Sequence, residues 1–385
     1  MLEYGKKKIC YICYRRFPDT NFEHYSKAVS DNGYDVSILT LLGSGQEIFE
    51  VLDRRKIYRI PLAGGKCGKR KRRLSFIFKT VSFLNKHDFS VVHIHSSCAY
   101  FGLIKILISD RAKFIYHTTS YPISDSHIKA VRRMIFLFLQ SLFMDKIIVQ
   151  SQELKEKLIG IRGLKRTAVI PVGFNRKILY PVAENEKRRF RNLLNIHESD
   201  PVLVYCGVIA KLRQLDRLME AFKKVQSIFE DVKLVMIGDG NALEEIKTLA
   251  RSLQIEKNII FTGRIPHHEV VNYIGIGDIG ISYIPINENY HYNPPLKTFE
   301  YLGCGLPTVA TRTVSNCKII KHDFNGILCN DSPEDVSMSI VNLLRDKDKQ
   351  SLLRENARKS IMAFDFEHIA KTKLIPLYEN LLGVV

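Results

Sequence analysis

No apolar run in this 385-residue chain is long enough to cross a bilayer. The longest, Met134 to Met144, is broken by Gln140 and ends at Asp145. That is well short of the ~20 residues a spanning helix needs, so no transmembrane anchor is expected. The basic N-terminus leads into an apolar stretch, but Tyr14 and Arg15 interrupt it and no small-residue cleavage site follows. It reads as the first buried strand of a cytoplasmic protein rather than a secretory signal. A second cysteine pair at ligand spacing is also missing: Cys10 and Cys13 stand alone as a C-x-x-C, which argues against a zinc site or a disulfide framework. Their apolar neighbours mark these cysteines as small buried hydrophobes. The dinucleotide fingerprint is incomplete, because VKLVMIGDG supplies Gly238 and Gly240 but no third glycine. Internal repeats and low-complexity segments are absent too, which excludes solenoids.

Acidic residues are scarce in one half only. Residues 1–180 hold 32 Lys and Arg against 14 Asp and Glu, whereas residues 181–385 hold 26 of each, so the net charge of +18 sits entirely on the first half. That half is the expected contact for a phosphate-rich surface such as lipid headgroups, lipid pyrophosphates or nucleic acid. The densest run, Lys69, Arg70, Lys71, Arg72 and Arg73, leads into LSFIFKTVSFL, whose apolar residues fall at helical spacing. A basic start to an amphipathic helix fits a peripheral membrane contact, and a solvated basic face is the other reading.

Short buried-strand patterns alternate with amphipathic helical ones from the start. KKICYICY, DVSILT, SVVHIHS, KFIYHTT and DKIIVQS lead to AVIPVGFN, and a polar stretch around Pro181 to Lys187 reads as an interdomain linker. The alternation then restarts with PVLVYCGV, VKLVMIGDG, NIIFTG, DIGISYIP and LPTVAT. The expectation is an α/β protein with two doubly wound units and a ligand cleft between them. From Ser332 onward the pattern is helical, and the last piece is expected to return to the first domain.

The strongest local pattern is NPPLKTFEYLGCGLPTVAT, Asn293 to Thr311. Prolines open a helix and Gly303 and Gly305 close it. Its free amides near Leu296 and Lys297 suit a diphosphate, and Glu300, one turn further in, could accept hydrogen bonds from ribose hydroxyls. An ordinary capped helix with Lys297 and Glu300 on its solvent face is the other reading.

The order P-x-K-x-x-E-Y-x-x-x-G-x-P-x-V-A resembles the donor-site signature of the retaining GT-B glycosyltransferases of family 4, and the resemblance extends over most of the chain. It implies a GT-B architecture, with two Rossmann-like domains facing across a cleft. Residues 1–178 would bind acceptor and residues 179–363 the nucleotide-sugar donor, with residues 364–385 packing back on the first domain. Glu300 matches the family's ribose-binding glutamate. The companion glutamate, which holds the transferred sugar, would fall on Tyr292, so Tyr292, Asn293 and Glu288 become the candidates for that role. VYCGVIAKLRQLDRLMEAF is similar to the family's phosphate-gripping loop: Gly207 and Arg213 match, Val208 replaces an expected arginine, and Lys211 is the substitute charge. Gly263, Arg264 and Ile265 would hold the base. His117, at the end of KFIYHTT, matches a family histidine beside the transferred sugar, and His95 is a second candidate. His267 and His268 are expected at the surface.

The resemblance thus implies transfer of a sugar from a UDP- or GDP-linked donor to a saccharide or lipid-linked acceptor, with retention, at the inner face of the cytoplasmic membrane. The nucleotide-sugar is a substrate, and neither a cofactor nor a metal is expected. No nucleic-acid partner is expected either, since no such fold is visible. The rivals are a nucleotide-sugar 2-epimerase of the same architecture and an inactive nucleotide- or membrane-binding protein.

Overall fold

The computed structural model describes residues 7–18, 20–62, 68–98, 101–108, 112–118, 127–159 and 166–383. Residues 1–6 of the opening segment and Cys67 lie outside the described residues. The chain divides into two compact units, residues 1–172 with 366–385, and residues 173–365. The division falls at Val172 rather than after residue 178 because the intervening stretch belongs to the second unit. Phe174 lies under Gly303, and the Leu179 carbonyl accepts a hydrogen bond from Arg358.

The first unit is built on an eight-stranded sheet. Its strands are β1 (Lys8–Arg16), β2 (Asp35–Leu41), β3 (Phe49–Leu52), β4 (Arg55–Ile60), β5 (Val91–His95), β6 (Lys113–His117), β7 (Lys146–Val149) and β8 (Thr167–Val169). They lie in the order β3-β4-β2-β1-β5-β6-β7-β8, all parallel except the β3–β4 pair. Both faces of the central strands are covered, which is why Ile9 to Cys13 and Val91 to His95 read as continuous buried runs rather than alternating ones. The helices between strands are α1 (Thr20–Asp31), α2 (Lys69–Lys86), α3 (Phe101–Ile106), α4 (His127–Ser141) and α5 (Gln152–Ile159). α2 turns Phe76, Ile77 and Leu84 into the core and leaves Arg70 to Arg73 exposed. Its apolar face is therefore satisfied by the protein itself.

The second unit opens with α6 (Glu184–Leu193), so the stretch expected as a linker instead starts a helix. Pro181 and Val182 are held against Gly305 and Gly275. Then follow β9 (Val202–Cys206), α7 (Leu215–Gln226), β10 (Lys233–Ile237), α8 (Leu243–Ser252), β11 (Ile259–Gly263), α9 (Val270–Gly275) and β12 (Ile279–Ser282). The unit continues with α10 (Leu296–Gly303), β13 (Thr308–Thr311), α11 (Val314–Ile319), β14 (Ile327–Cys329), α12 (Pro333–Arg345) and α13 (Lys347–Ser360). Its sheet is parallel throughout, in the order β11-β10-β9-β12-β13-β14. The strand order reverses between β9 and β12, the place where doubly wound sheets open a ligand crevice.

The chain then returns to the first unit through α14 (Phe366–Ile369), one π-helical turn (Ala370–Leu374) and α15 (Ile375–Leu381). The π turn ends two positions before Pro376, which has no N–H to continue the ordinary ladder. Phe366 stacks on His24, and the fully buried Tyr378 reaches Tyr11.

Candidate active site

β9 ends at the switch point of the second sheet, and the loop after it is clamped by backbone alone. Gly207 N–H donates to Ile237 O (2.9 Å), Ile209 N–H to Asp239 O (3.0 Å) and Ala242 N–H to Ile209 O (3.1 Å). The glycines of VKLVMIGDG make this possible. A Cβ on Gly238, at φ 140°, would stand 2.0 Å from Gly207 O, and one on Gly240 would stand 2.1 Å from Ile209 O. The incomplete G-x-G is thus a fastening for the neighbouring loop, a role its sequence does not announce.

The donor-motif helix α10 is held from below and behind. Thr298 Oγ1 donates to Asn316 Oδ1 (2.9 Å), and Asn316 in turn donates to Thr311 O (2.8 Å). Tyr301, fully buried, accepts from Cys206 N–H at 2.6 Å and ties the helix to the end of β9. The helix has no side-chain N-cap at Pro295, so its first amides keep no cap of their own. At its far end Arg358 donates to the carbonyls of Gly303, Leu179 and Arg176.

This frame brings several of the expected residues together. Lys297 is buried, not on a solvent face: its Nζ donates to Tyr283 O (3.0 Å) and lies 3.9 Å from the centre of the Tyr205 ring. Burial, then the nearby Arg213, holds its ammonium well below the usual lysine range. A Cβ on Gly207 would sit 3.7 Å from the same Nζ, so only a glycine leaves the approach to Lys297 fully open. The Tyr205 hydroxyl, 3.5 Å from that same point, is buried without a hydrogen-bond partner among the described residues. The Arg213 guanidinium carbon lies over the Tyr290 ring, 4.1 Å from its centre.

Glu300 is 15% exposed and faces His267 across 3.6 Å, Oε1 to Nε2. His267, expected at the surface, is therefore a partner of the carboxylate. The two lie on separate segments, so spacing along the chain carries no signal of the pairing. Cys206 also lies against Glu300, and its thiol is pushed up by burial first and by that carboxylate second. Gly263 adopts φ 67° after β11, Ile265 is half-buried and Arg264 is exposed. Leu296 is exposed at the start of α10, while Tyr292 and Asn293 are half-buried. Tyr292 packs edge-on to His291, and Asn293 donates to Asn289 O at 2.7 Å. Lys211 points elsewhere: it is two-thirds exposed and pairs with Glu245 at 3.0 Å. Val208 and Glu288 are exposed.

In the first unit, the ends of β5 and β6 place three histidines together. His117 is fully buried and stacked on His93, with Nδ1 at 3.3 Å from His93 Nε2. His93 Nδ1 meets Tyr378 Oη at 2.6 Å, and Tyr378 Oη meets Tyr11 Oη at 2.8 Å. His95 Nδ1 lies 3.0 Å from Ser97 Oγ. The chain of bonds can run in one of two senses. With Tyr11 donating to Tyr378, Tyr378 donates to His93 Nδ1, His93 Nε2 donates to His117 Nδ1, and the His117 proton lies on Nε2. In the reverse sense His117 Nδ1 donates to His93 Nε2 and the Tyr11 hydroxyl proton is the one without an acceptor in the chain, so each sense leaves one buried donor at an end. His117 Nε2 has no partner among the described residues.

Comparison with known proteins agrees with this layout. The model for the family "Glycosyl transferases group 1" matches residues 186–360, and that for "Glycosyltransferase Family 4" matches residues 22–177. N-acetyl-alpha-D-glucosaminyl L-malate synthase of Bacillus anthracis is 22% identical over 316 residues, which cover 80% of this chain and 78% of that protein. Alpha-monoglucosyldiacylglycerol synthase of Streptococcus pneumoniae is 26% identical over 243 residues, 60% of this chain and 54% of that one. The solved structure of Anabaena HepE in complex with UDP and glucose superposes with a TM-score of 0.77 at 16% identity, covering 96% of this chain and 99% of the other. With two parallel α/β units, a donor-type helix at the second switch point and both family models matched in order, the chain belongs to the family 4 glycosyltransferases of GT-B fold.

Proposed function

We propose that this glycosyltransferase moves a hexose from a UDP- or GDP-sugar to a saccharide or lipid-linked acceptor, with retention at the anomeric carbon, in the synthesis of a cell-surface polysaccharide or glycoconjugate. The observation that carries the reading is the cluster after β9. There a glycine opens the way to a buried lysine, an arginine and an orphaned tyrosine hydroxyl, close to a carboxylate paired with a histidine. In the reaction the anomeric C–O bond breaks and the nucleoside diphosphate leaves with the electron pair. The acceptor oxygen bonds to the same carbon and gives up its proton.

Charge gathers on the departing diphosphate, and the groups assigned to it are Arg213, Lys297 and the free amides at Leu296 and Lys297. Lys211 is a further cation once it leaves Glu245. These cations stand where a metal would otherwise serve, so the reading assigns no metal or cofactor. Glu300 is assigned to the ribose hydroxyls, with His267 holding the carboxylate in place. The base goes against Gly263, Arg264 and Ile265, and the hydroxyls of the transferred sugar to Tyr292 and Asn293. His117, whose Nδ1 meets His93 and whose Nε2 has no partner among the described residues, is the residue of the first unit assigned to the sugar and its phosphate. Arg70 to Arg73, with Lys69, are assigned to anionic headgroups at the cytoplasmic membrane. A UDP-and-glucose complex among the structural neighbours and a glycolipid synthase among the relatives support the donor and acceptor classes.

Thermal unfolding with UDP, GDP and their sugars tests the donor assignment, because a ligand at 100 times its Kd stabilises the fold by about 2.7 kcal/mol. One nucleotide should raise the midpoint, and Glu300→Ala should weaken it about tenfold or more. Absence of any shift, or an unaffected Glu300→Ala, overturns the site. Epimer formation from nucleotide-sugar alone, without acceptor, overturns transfer in favour of isomerisation. Turnover that collapses in EDTA and returns with a divalent cation overturns the metal-free assignment.

A further inference from the structure

Three neighbouring helices of the first unit carry charge of one sign only. α3 touches both α2 and α4, and together the three sequences contain eleven lysines and arginines and no aspartate or glutamate. α2 turns Phe76, Ile77 and Leu84 inward, and of its large apolar residues Phe78 alone is exposed. α4 differs. Ile128, Val131, Ile135 and Leu139 recur at intervals of three and four, which sets them along one face, and Leu142 extends the row beyond the helix end. Each is between 42% and 72% exposed. Ile106, at the end of the adjoining α3, is 55% exposed. The row presents on the order of 500 Å² of apolar side chain to solvent, about as much as the largest patch on a typical soluble monomer.

Lys129 and Arg132 are exposed on the same helix, between the apolar positions. We infer that α4 is an interfacial membrane helix: its apolar row enters the boundary between headgroups and acyl chains of an anionic bilayer, while Lys129, Arg132 and the basic start of α2 contact the headgroups. At 15 residues α4 is too short to span, and no helix among the described residues is long and apolar enough to cross a membrane. A second copy of the chain is a poor occupant of this face, because it would set the same lysines and arginines against one another. An anionic bilayer offers apolar depth and negative charge together. The basic run and the apolar row thus lie on different helices of one layer, and the helix that follows the basic run is not the one that inserts. This inference does not depend on the identity of the donor.

The test uses the full chain with vesicles of phosphatidylcholine alone and with about one third phosphatidylglycerol. Co-sedimentation with the anionic vesicles is expected, falling as salt is raised. Ile135→Glu with Leu139→Glu should weaken that binding about tenfold or more, while nucleotide-induced thermal stabilisation stays as in the parent protein. Arg70→Glu with Arg72→Glu should weaken binding to anionic vesicles only. The chain has no tryptophan, so Leu139→Trp, which keeps the site apolar, supplies a single reporter. Its emission should shift to the blue with anionic vesicles and be quenched by shallow brominated lipid. No blue shift, or unaltered binding of the double glutamate variant, overturns the inference. So does equal binding to both vesicle types, and so does a dimer in sedimentation that the double variant dissolves without any vesicle binding.

Discussion

Acid should loosen the first unit before carboxylates begin to titrate, and the histidine cluster at the ends of β5 and β6 sets how much. Burial, and then His95, lowers His93 to about 3, while burial, His93 and His95 together hold His117 well below the ordinary histidine value. Around them stand Tyr11, Tyr25, Tyr378 and Phe22, with no carboxylate in their ring and hydrogen-bond contacts among the described residues. In the unfolded chain both histidines titrate near ~6.5. The folded state keeps them neutral, so below that pH only the unfolded state takes up protons. Their contribution to stability is therefore complete above ~6.5 and is lost progressively as pH falls, toward about 3 for His93. Between about pH 8 and pH 5 each histidine removes about 2 kcal/mol, so the pair removes about 4 kcal/mol. That is a large share of the ~5–15 kcal/mol that holds a typical domain together.

Hydrogen exchange of the β5 and β6 amides, read by mass spectrometry and corrected for intrinsic rates, resolves this unit from the rest of the chain. The opening free energy of those strands should drop by about 4 kcal/mol over the range. The double variant His93→Gln, His117→Gln should start less stable at pH 8 and lose most of that slope. A drop below about 1 kcal/mol in the parent protein, or an unchanged slope in the double variant, refutes the argument that the cluster is neutral and desolvated.

Three further outcomes follow from the second unit. Lys297 is held below its usual range by burial, so a bound diphosphate should restore its charge. UDP or GDP binding at about pH 8 should then take up protons, seen as a calorimetric enthalpy that depends on the buffer's ionisation heat and is independent of it in Lys297→Met. Gly238→Ala places a methyl group into the Gly207 carbonyl at a positive φ, and should cost about 3 kcal/mol or more while also lowering nucleotide affinity, measured by denaturation and thermal shift. Arg191 is buried and donates to Ile276 O, Glu198 O, Asp200 O and Asp278, whose carboxyl Lys187 and Arg191 hold below the usual range against its burial. Arg191→Met should therefore destabilise the second unit by about 3–5 kcal/mol, and a loss under about 1 kcal/mol would show the network to be dispensable.

Much of this architecture is legible in the sequence because buried parallel strands leave an unmistakable mark. VVHIH and VLVYC are apolar at nearly every position, and only a sheet covered on both faces accepts such runs. Asn293 to Thr311 is legible for a local reason: proline before a helix and glycine after it act within a few residues. What escapes is pairing across distance. Nothing near Glu300 announces His267, and nothing near His93 announces Tyr378, which is 285 positions away. Lys297 was expected on a solvent face of the helix or at its phosphate end; its burial over Tyr205 depends on how α10 is rotated against β9 and β12. Likewise α2 and α4 have similar mixtures of basic and apolar residues, and only packing decides which of them keeps its apolar side for the core.

The return of the last helices to the first unit has a consequence for biogenesis. Tyr11 and His93 emerge from the ribosome long before Tyr378, which closes their hydrogen bonds from 367 and 285 positions further on. The second unit, complete at residue 365, can fold while the first still lacks its final piece. A nascent or prematurely terminated chain would thus present a finished second unit beside an open core, a form that quality-control proteases are suited to remove.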